Sequence, residues 1–381
     1  MSAWTPATPR AMPAGGPIRV MLCDDSATVR AALGRLLETD PGIRVVARPA
    51  DGQQALDALR DLAPGERPDV VLLDLEMPVM DGMTALPRLL RAQPGLAVIV
   101  ASALTQHGAA AAMAALRAGA ADYLPKPGAA GGGMADPAFR AELLAKVKGW
   151  ARMRQPPRVR PPAPPAIVPP GLPAAPRGGR PRLLALGSST GGPQALAGFV
   201  RRLAVAAAFP VPIVVVQHMP AGFTAMLADH LSRLGGPAAA EAQDGEVLRP
   251  GRIHVAPGDR HLLVERRGEG LVARLNQAPP ENFCRPAVDP MLRSAAGACE
   301  GRLLAVILTG MGQDGLLGCK AVAAAGGAVL AQDEASSVVW GMPGAVAKAG
   351  LAQALLPPEQ LAERAMAQCG MAGAGPVGGH A

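Results

Sequence analysis

Two sets of polar side chains in this chain have the types and order that chemistry needs. The first is acidic. Asp24 and Asp25 follow an apolar run at residues 18–22, Asp74 follows one at 70–73, Ser102 follows 97–101, and Lys126 sits in Pro125-Lys126-Pro127 after a short run at 122–124. If each run is a strand, each of these residues stands at a strand's carboxyl end, where an open parallel sheet gathers its ligand groups in one crevice. Three carboxylates converging there repel one another unless a divalent cation lies among them. Hard oxygen donors with room left for a phosphate suit Mg²⁺. A carboxylate beside such an ion can attack a phosphoryl donor, and an ammonium steadies the acyl phosphate that results. Asp74 is then the candidate phosphoacceptor, Asp24 and Asp25 its companions at the metal, Lys126 the counter-charge and Ser102 a hydrogen-bond donor. Singly each residue means little, since a strand-end Asp usually caps a helix. Four in order, each at a strand end, mean much more.

The second set is nucleophilic. Ser189 lies in Gly187-Ser188-Ser189-Thr190-Gly191-Gly192-Pro193, between an apolar run and a helical pattern. Glycines permit a tight turn there and a close approach of substrate, and the amides opening the helix can hold an oxyanion. His218 ends the run at 213–217, and Asp314 follows the run at 303–308. A serine, an imidazole to take its proton and a carboxylate to orient the imidazole make an acyl-transfer site. On residue types alone the turn serves equally well as an anion site at a helix N-terminus.

Positioning these groups requires two sheets. Strands are expected at 18–22, 43–47, 70–73, 97–101 and 122–124, with helices at 27–37, 53–62 and 109–118 between them. That alternation predicts a doubly wound parallel sheet. A second α/β pattern has strands at 183–186, 213–216, 253–255, 262–265, 271–275, 303–308 and 328–330. Its helices fall at 194–203, 223–234, 290–296, 316–324 and 343–349. The middle strands, broken at Pro257-Gly258-Asp259, are expected to be antiparallel.

Between the two patterns, residues 155–181 hold eleven prolines, and seven arginines with no acidic residue lie between Arg152 and Arg182. The formal charge of +7 is matched by that one segment. No aromatic side chain is interleaved to stack a base, so a solvated linker is expected rather than a nucleic-acid site. Five cysteines without CxxC spacing fit a reducing compartment. The longest apolar run, 203–216, is broken by Pro210 and Pro212 and falls short of a bilayer span, so the chain is expected not to be membrane-inserted. With 49% hydrophobic but only 2% aromatic residues, the cores must be packed from aliphatic side chains. The expected organisation is an N-terminal extension (1–17, with no signal-peptide pattern and expected to be disordered), a first domain (18–150), the linker (151–181), a second domain (182–369) and a disordered tail (370–381).

The stretches Val20-Met21-Leu22-Cys23-Asp24-Asp25-Ser26, Val71 to Gly82, Ser102-Ala103 and Tyr123-Leu124-Pro125-Lys126-Pro127 resemble the response-regulator receiver domain. The resemblance implies a flavodoxin-like fold, Mg²⁺ held by Asp24, Asp25 and Asp74, phosphorylation of Asp74 by a histidine kinase, and Tyr123 as a rotameric reporter. The second pattern resembles the chemotaxis protein-glutamate methylesterases. That likeness is carried by Gly187 to Pro193, Gln217-His218-Met219-Pro220, Ile253 to Gly258, Leu308 to Gly315 and Gln332 to Pro343. It implies a Rossmann-like α/β hydrolase with Ser189 as nucleophile, His218 as base and Asp314 as orienting acid. The backbone amides of Met311 and Thr190 are the implied oxyanion donors. It further implies hydrolysis of glutamate γ-methyl esters on methyl-accepting chemoreceptors and deamidation of receptor glutamines, with no cofactor for ester hydrolysis. The chemotaxis kinase is the implied phosphodonor, and the compartment the cytoplasm. Two other outputs remain open: the same hydrolase acting on a protein outside chemotaxis, or a receiver with a non-catalytic binding output. Cys284-Arg285-Pro286-Ala287-Val288-Asp289 departs from the family's His-Arg-Pro-Ser-Val-Asp, and Ser188 stands where Ala is common.

Overall fold

The computed structural model describes residues 16–103, 105–127, 133–154, 179–204 and 209–371. The expectations for most of the N-terminal extension (1–15), the linker (155–178) and the tail (372–381) lie outside the described residues. Internal contacts divide the chain into two units, Met1–Val98 and Ile99–Ala381, taken here in turn.

In the first unit β1 (Ile18–Cys23) pairs in parallel with both β2 (Ile43–Ala47) and β3 (Val70–Asp74). Val20, Met21, Val70, Val71 and Leu73 are fully buried. A central strand covered on both faces reads as a continuous apolar run rather than an alternating one, and that is why these strands were legible. The helices are α1 (Ala27–Glu38), α2 (Gly52–Asp61) and α3 (Gly82–Ala92). Their N-caps are polar: Val29 donates its amide to Ser26, Gln54 to Asp51 and Thr84 to Asp81. The periodicity did not predict α3, which carries Pro87 in its interior. Burial of Ala85, Leu86 and Leu89 outweighs the backbone hydrogen bond that Pro87 removes.

The second unit opens with most of β4 (Ala97–Ala103), followed by α4 (Gln106–Arg117), β5 (Asp122–Lys126) and α5 (Pro137–Arg154). β4 and β5 pair in parallel. Arg152 and Arg154 ride on the last turn of α5. Next come β6 (Leu183–Ser188), α6 (Gly192–Leu203), β7 (Ile213–Gln217), α7 (Phe223–Ser232), β8 (Ala238–Glu241) and β9 (Arg252–Val255). They are followed by β10 (His261–Arg267), β11 (Gly270–Asn276), α8 (Val288–Ala298), β12 (Leu303–Ile307) and α9 (Leu316–Ala324). The chain closes with β13 (Ala328–Gln332), α10 (Met342–Lys348), β14 (Leu355–Leu356) and α11 (Pro358–Gln368).

Seven of these strands form one parallel sheet in the order β14-β13-β12-β6-β7-β9-β8. The antiparallel expectation holds only for the ribbon of β10 and β11, which turns between Arg267 and Gly270. It is corrected for β9, which lies in the parallel sheet between β7 and β8. Pro257-Gly258-Asp259 is therefore a corner leading out of that sheet, not a hairpin. Gly258 is needed there because any Cβ would overlap the backbone of Ala221. One core cluster joins the inner face of the sheet, including Val214, Val216, Ala305 and Ile307, to Met291, Leu292 and Ala295 of α8.

Candidate active site and acidic pocket

Asp24 and Asp25 leave the end of β1, and Asp74 ends β3. One carboxylate oxygen from each lies within 4.8 Å of the others. Asp24 and Asp74 are buried, whereas Asp25 is exposed. The Ser26 amide donates to Asp24 Oδ1 at 3.0 Å and the Leu75 amide to Asp74 Oδ1 at 2.8 Å, which orients both carboxylates. Gly82 lies so close under the Asp74 carbonyl that no Cβ fits. Three convergent hard oxygens are the donor set expected of Mg²⁺, so the residues present fit that ion.

Ser102 and Lys126 belong to the second unit, on the neighbouring strands β4 and β5, where Ser102 pairs with Pro125 and Ala103 with Lys126. Ser102 is buried, with its hydroxyl donating to the Gly108 carbonyl at 2.9 Å. Tyr123 is buried as well and stacks on Phe223 with centroids 5.2 Å apart; burial holds its phenol well above the ordinary value.

The hydrolytic candidates come from three neighbouring strand ends. β6 lies between β12 and β7, so Ser189, His218 and Asp314 all follow adjacent strands at one edge of the sheet. The Ser189 amide donates to Thr309 O at 3.0 Å, and the Gly192 amide to Ser189 O at 2.8 Å, which closes the turn. Gly191 caps α6 with φ +74°, a left-handed conformation that a side chain would strain. The His218 amide donates to Ser188 O at 3.1 Å, which ties His218 to the residue before Ser189.

His218 and Asp314 meet directly, with Nε2 and Oδ2 2.8 Å apart. Asp314 is almost wholly buried and accepts four further bonds: from the amides of Val288 (2.6 Å), Asp289 (3.0 Å) and Gly315 (2.9 Å), and from Asn282 Nδ2 (2.9 Å). Burial alone would raise its pKa. The bonds from His218 and the amides outweigh that and lower it, so the group stays ionised. Asp289, sharing Asn282 with Asp314 and itself buried, moves upward instead. The His218 imidazole is depressed by burial, but its bonds to Asp314 and Cys284 carry it up to about 10.

The nitrogen of His218 not held by Asp314 is Nδ1, and Cys284 Sγ lies 3.3 Å from it. Among the described residues, no hydrogen bond joins the Ser189 hydroxyl to the imidazole. The structure thus unites His218 with Asp314 and places Ser189 on the adjoining strand end. Of the implied oxyanion donors, Thr190 follows Ser189 directly and Met311 follows Gly310, which packs against Ser189. The Thr309 hydroxyl donates to Thr190 O at 2.9 Å, and a Cβ at Gly310 would stand 2.8 Å from Ser189 Cβ. Neither the Thr190 nor the Met311 amide donates to a protein acceptor among the described residues.

Three contributors were not found from sequence. Gln217 accepts from the Ser188 hydroxyl at 2.7 Å and donates to Ser189 O at 2.8 Å, so the hydroxyl at 188 fixes the amide that braces the turn. Asn282 tethers both buried carboxylates. Asp122, also buried, accepts from Trp150 Nε1 (3.1 Å), from Lys146 (3.5 Å) and from the Gly191 amide (3.2 Å). Gln217 was readable as a neighbour of His218. The other two gave no signal, because their partners are distant in sequence. His254 on β9 and His261 on β10 are buried and bonded to other protein groups: His254 to Glu246, His261 to Pro279 O and the Ala287 amide.

Both parts of the chain match known families. Residues 184–365 match the CheB methylesterase family and residues 20–132 the response regulator receiver domain. A protein-glutamate methylesterase/protein-glutamine glutaminase of Paramagnetospirillum magneticum is 51% identical, over 92% of this chain and 96% of its own. The protein of the same name from Azospirillum brasilense is 50% identical over 91% of each. The crystal structure of the Thermotoga maritima CheB methylesterase catalytic domain aligns at 41% identity and TM-score 0.48, covering 49% of this chain and 98% of that one. With half its residues shared over nine-tenths of its length, the chain belongs to the protein-glutamate methylesterase/protein-glutamine glutaminase family, carrying a response regulator receiver and a methylesterase domain.

Proposed function

We propose that this chain removes methyl groups from glutamate γ-esters of methyl-accepting chemoreceptors, and deamidates receptor glutamines, under control of phosphorylation at Asp74. The observation that carries the reading is the His218–Asp314 pair at 2.8 Å, beside the glycine-bounded turn that presents Ser189. Asp314 holds Nε2, leaving Nδ1 to take the serine proton. The Ser189 oxygen attacks the ester carbonyl, and the amides of Thr190 and Met311 donate to the oxyanion. Collapse of the tetrahedral adduct breaks the C–O bond, and methanol leaves with the proton from His218. Water, deprotonated by the same imidazole, then releases the acyl group as glutamate. A glutamine amide follows the same course and loses ammonia.

At the acidic pocket Asp24, Asp25 and Asp74 would hold Mg²⁺, which when bound neutralises the charge gathering on a transferred phosphoryl group. Asp74 supplies the attacking oxygen, and a chemotaxis histidine kinase is the phosphodonor. Lys126 and Ser102 are the groups assigned to steady the acyl phosphate, and Tyr123 the reporter of its presence. In this reading the domains span 18–150 and 182–369, joined by the basic segment 151–181. No helix among the described residues is long and apolar enough to cross a membrane. In this reading the enzyme works in the cytoplasm, on the receptors' cytoplasmic helices.

The test is methanol release from a methylated receptor fragment. The native chain is expected to release methanol and Ser189→Ala to lose nearly all of that activity. Native-like release by Ser189→Ala would remove the nucleophile. Release from other methylated proteins, but none from receptors, would move the enzyme outside chemotaxis.

A further inference from the structure

The thiol against the catalytic imidazole has no part in the proposed reaction. Cys284 is half-buried, whereas Cys23, Cys299, Cys319 and Cys369 are buried. It is held in place by its loop: the Glu281 amide donates to Cys284 O at 3.1 Å and the Cys284 amide to Glu281 O at 2.9 Å. Arg293 clamps Glu281 through both carboxylate oxygens, at 2.9 and 2.6 Å, and Arg285 binds Asp259 beside it. Asn282 and Phe283, just before the cysteine, both take positive φ (51° and 63°), a cost that asparagine's bond to Asp314 helps to offset. The loop therefore aims Sγ at Nδ1, and Asp314 holds the far nitrogen.

Cysteine, histidine and aspartate in that order form a thiol-activating chain. The imidazole can take the thiol proton, and the buried carboxylate steadies the imidazolium. The same Nδ1 must accept the proton of Ser189, so thiol and hydroxyl compete for one nitrogen. We propose that Cys284 is a modification site at which small electrophiles, hydroperoxides in particular, switch the hydrolase off by covering Nδ1. The inference rests on His218 being the base of the reaction proposed above.

The chemistry balances with the peroxide as oxidant. The thiolate sulfur attacks one peroxide oxygen, the S–O bond forms and the O–O bond breaks. The departing hydroxide takes the imidazolium proton as water. Sulfur is oxidised by two electrons to a sulfenic acid and the peroxide is reduced. The new hydroxyl then occupies the space through which Ser189 reaches the ring. Excess dithiol returns the sulfenic acid to thiol, releasing water and forming its own disulfide.

The experiment treats the full chain with hydrogen peroxide, and in parallel with iodoacetamide. Modification of each cysteine is followed by mass spectrometry and activity by methanol release. Cys284 is expected to react on the order of tenfold faster than the buried cysteines. Activity should fall in step with its modification and return with dithiothreitol in the peroxide arm. Cys284→Ala is expected to keep hydrolysing through the same treatments, and His218→Gln to slow the reaction at Cys284. The inference is overturned if fully modified Cys284 leaves turnover intact, or if Cys284→Ala is inactivated as quickly as the native chain. Absence of methanol release before any treatment would instead count against the hydrolase reading, while the relative rate of Cys284 modification remains readable.

Discussion

At the scale of single residues, the proposed reaction turns on how Asp314 is buried. Its five acceptor bonds use both oxygens, so it orients the imidazole as a fixed anion. Asp314→Asn keeps the shape but presents an amide to Nε2, favouring the wrong tautomer. Methanol release should fall by roughly 10³–10⁴-fold, with little change in the protein's far-ultraviolet circular dichroism. The raised pKa of His218, about 10 against an ordinary 6.5, sets the direction of the pH response. A base works only when neutral, so kcat/KM should climb with pH from neutrality toward about 10. A profile already level at pH 7 would contradict that direction. Removing the thiol in Cys284→Ala takes away one of the raising bonds and should move the midpoint down. For stability the sign is the reverse: the imidazolium's contribution is complete below 6.5 and fades as pH rises through about 10.

At the scale of elements, β5, α5 and the turn opening α6 are tied through one carboxylate, Asp122. Lys146, buried on α5, also reaches Glu142 at 2.9 Å, but that carboxylate is partly exposed. Burial depresses the Lys146 ammonium, while Asp122 and Glu142 raise it by more, so it stays charged. Asp122→Ala leaves that charge with only its weaker partner and strips an acceptor from Trp150. Stability should drop by about 3–5 kcal/mol, measured as a lower urea midpoint. A shift within error would mean that the cluster is no support. The same scale shows where the pattern of apolar residues failed. β8 is Ala-Ala-Ala-Glu and β14 only two residues long, so neither carries a β-branched signature. α3 was hidden by Pro87, and α11 follows the sheet's last edge with no capping side chain. Nor could β9 be told from the ribbon after it, because direction of pairing is decided by which partner buries a strand, not by its own residues.

At the scale of the whole molecule, one chain carries a receiver and a methylesterase domain, with the proposed phosphate-accepting pocket at residues 24, 25 and 74 and the proposed ester-cleaving site at 189, 218 and 314. The three convergent carboxylates make the first dependent on a cation. Acetyl phosphate with Mg²⁺ should add one phosphoryl group, detected by intact mass. Chelation with EDTA, or Asp74→Ala, should abolish the addition. If ester hydrolysis is governed by that pocket, the phosphodonor raises methanol release by the native chain and leaves Asp74→Ala at its basal rate. Equal responses by the two would separate the pocket from the enzyme's control.

The order of strand-end residues was sufficient to bring both sets of candidates to sheet edges, because a parallel sheet gathers its carboxyl ends whatever the intervening chain does. Gly187 to Pro193 announced a turn, and the apolar runs announced buried strands, since local geometry and burial on both faces leave marks in neighbouring residues. Side-chain pairing across long separations leaves none. Only the tertiary structure brought Asn282 to Asp314, Asp122 to Gly191 and Cys284 to the free nitrogen of His218. Each of these contacts joins segments 32 to 69 residues apart, or 66 for the thiol, and forms only once the sheet has set its edges side by side.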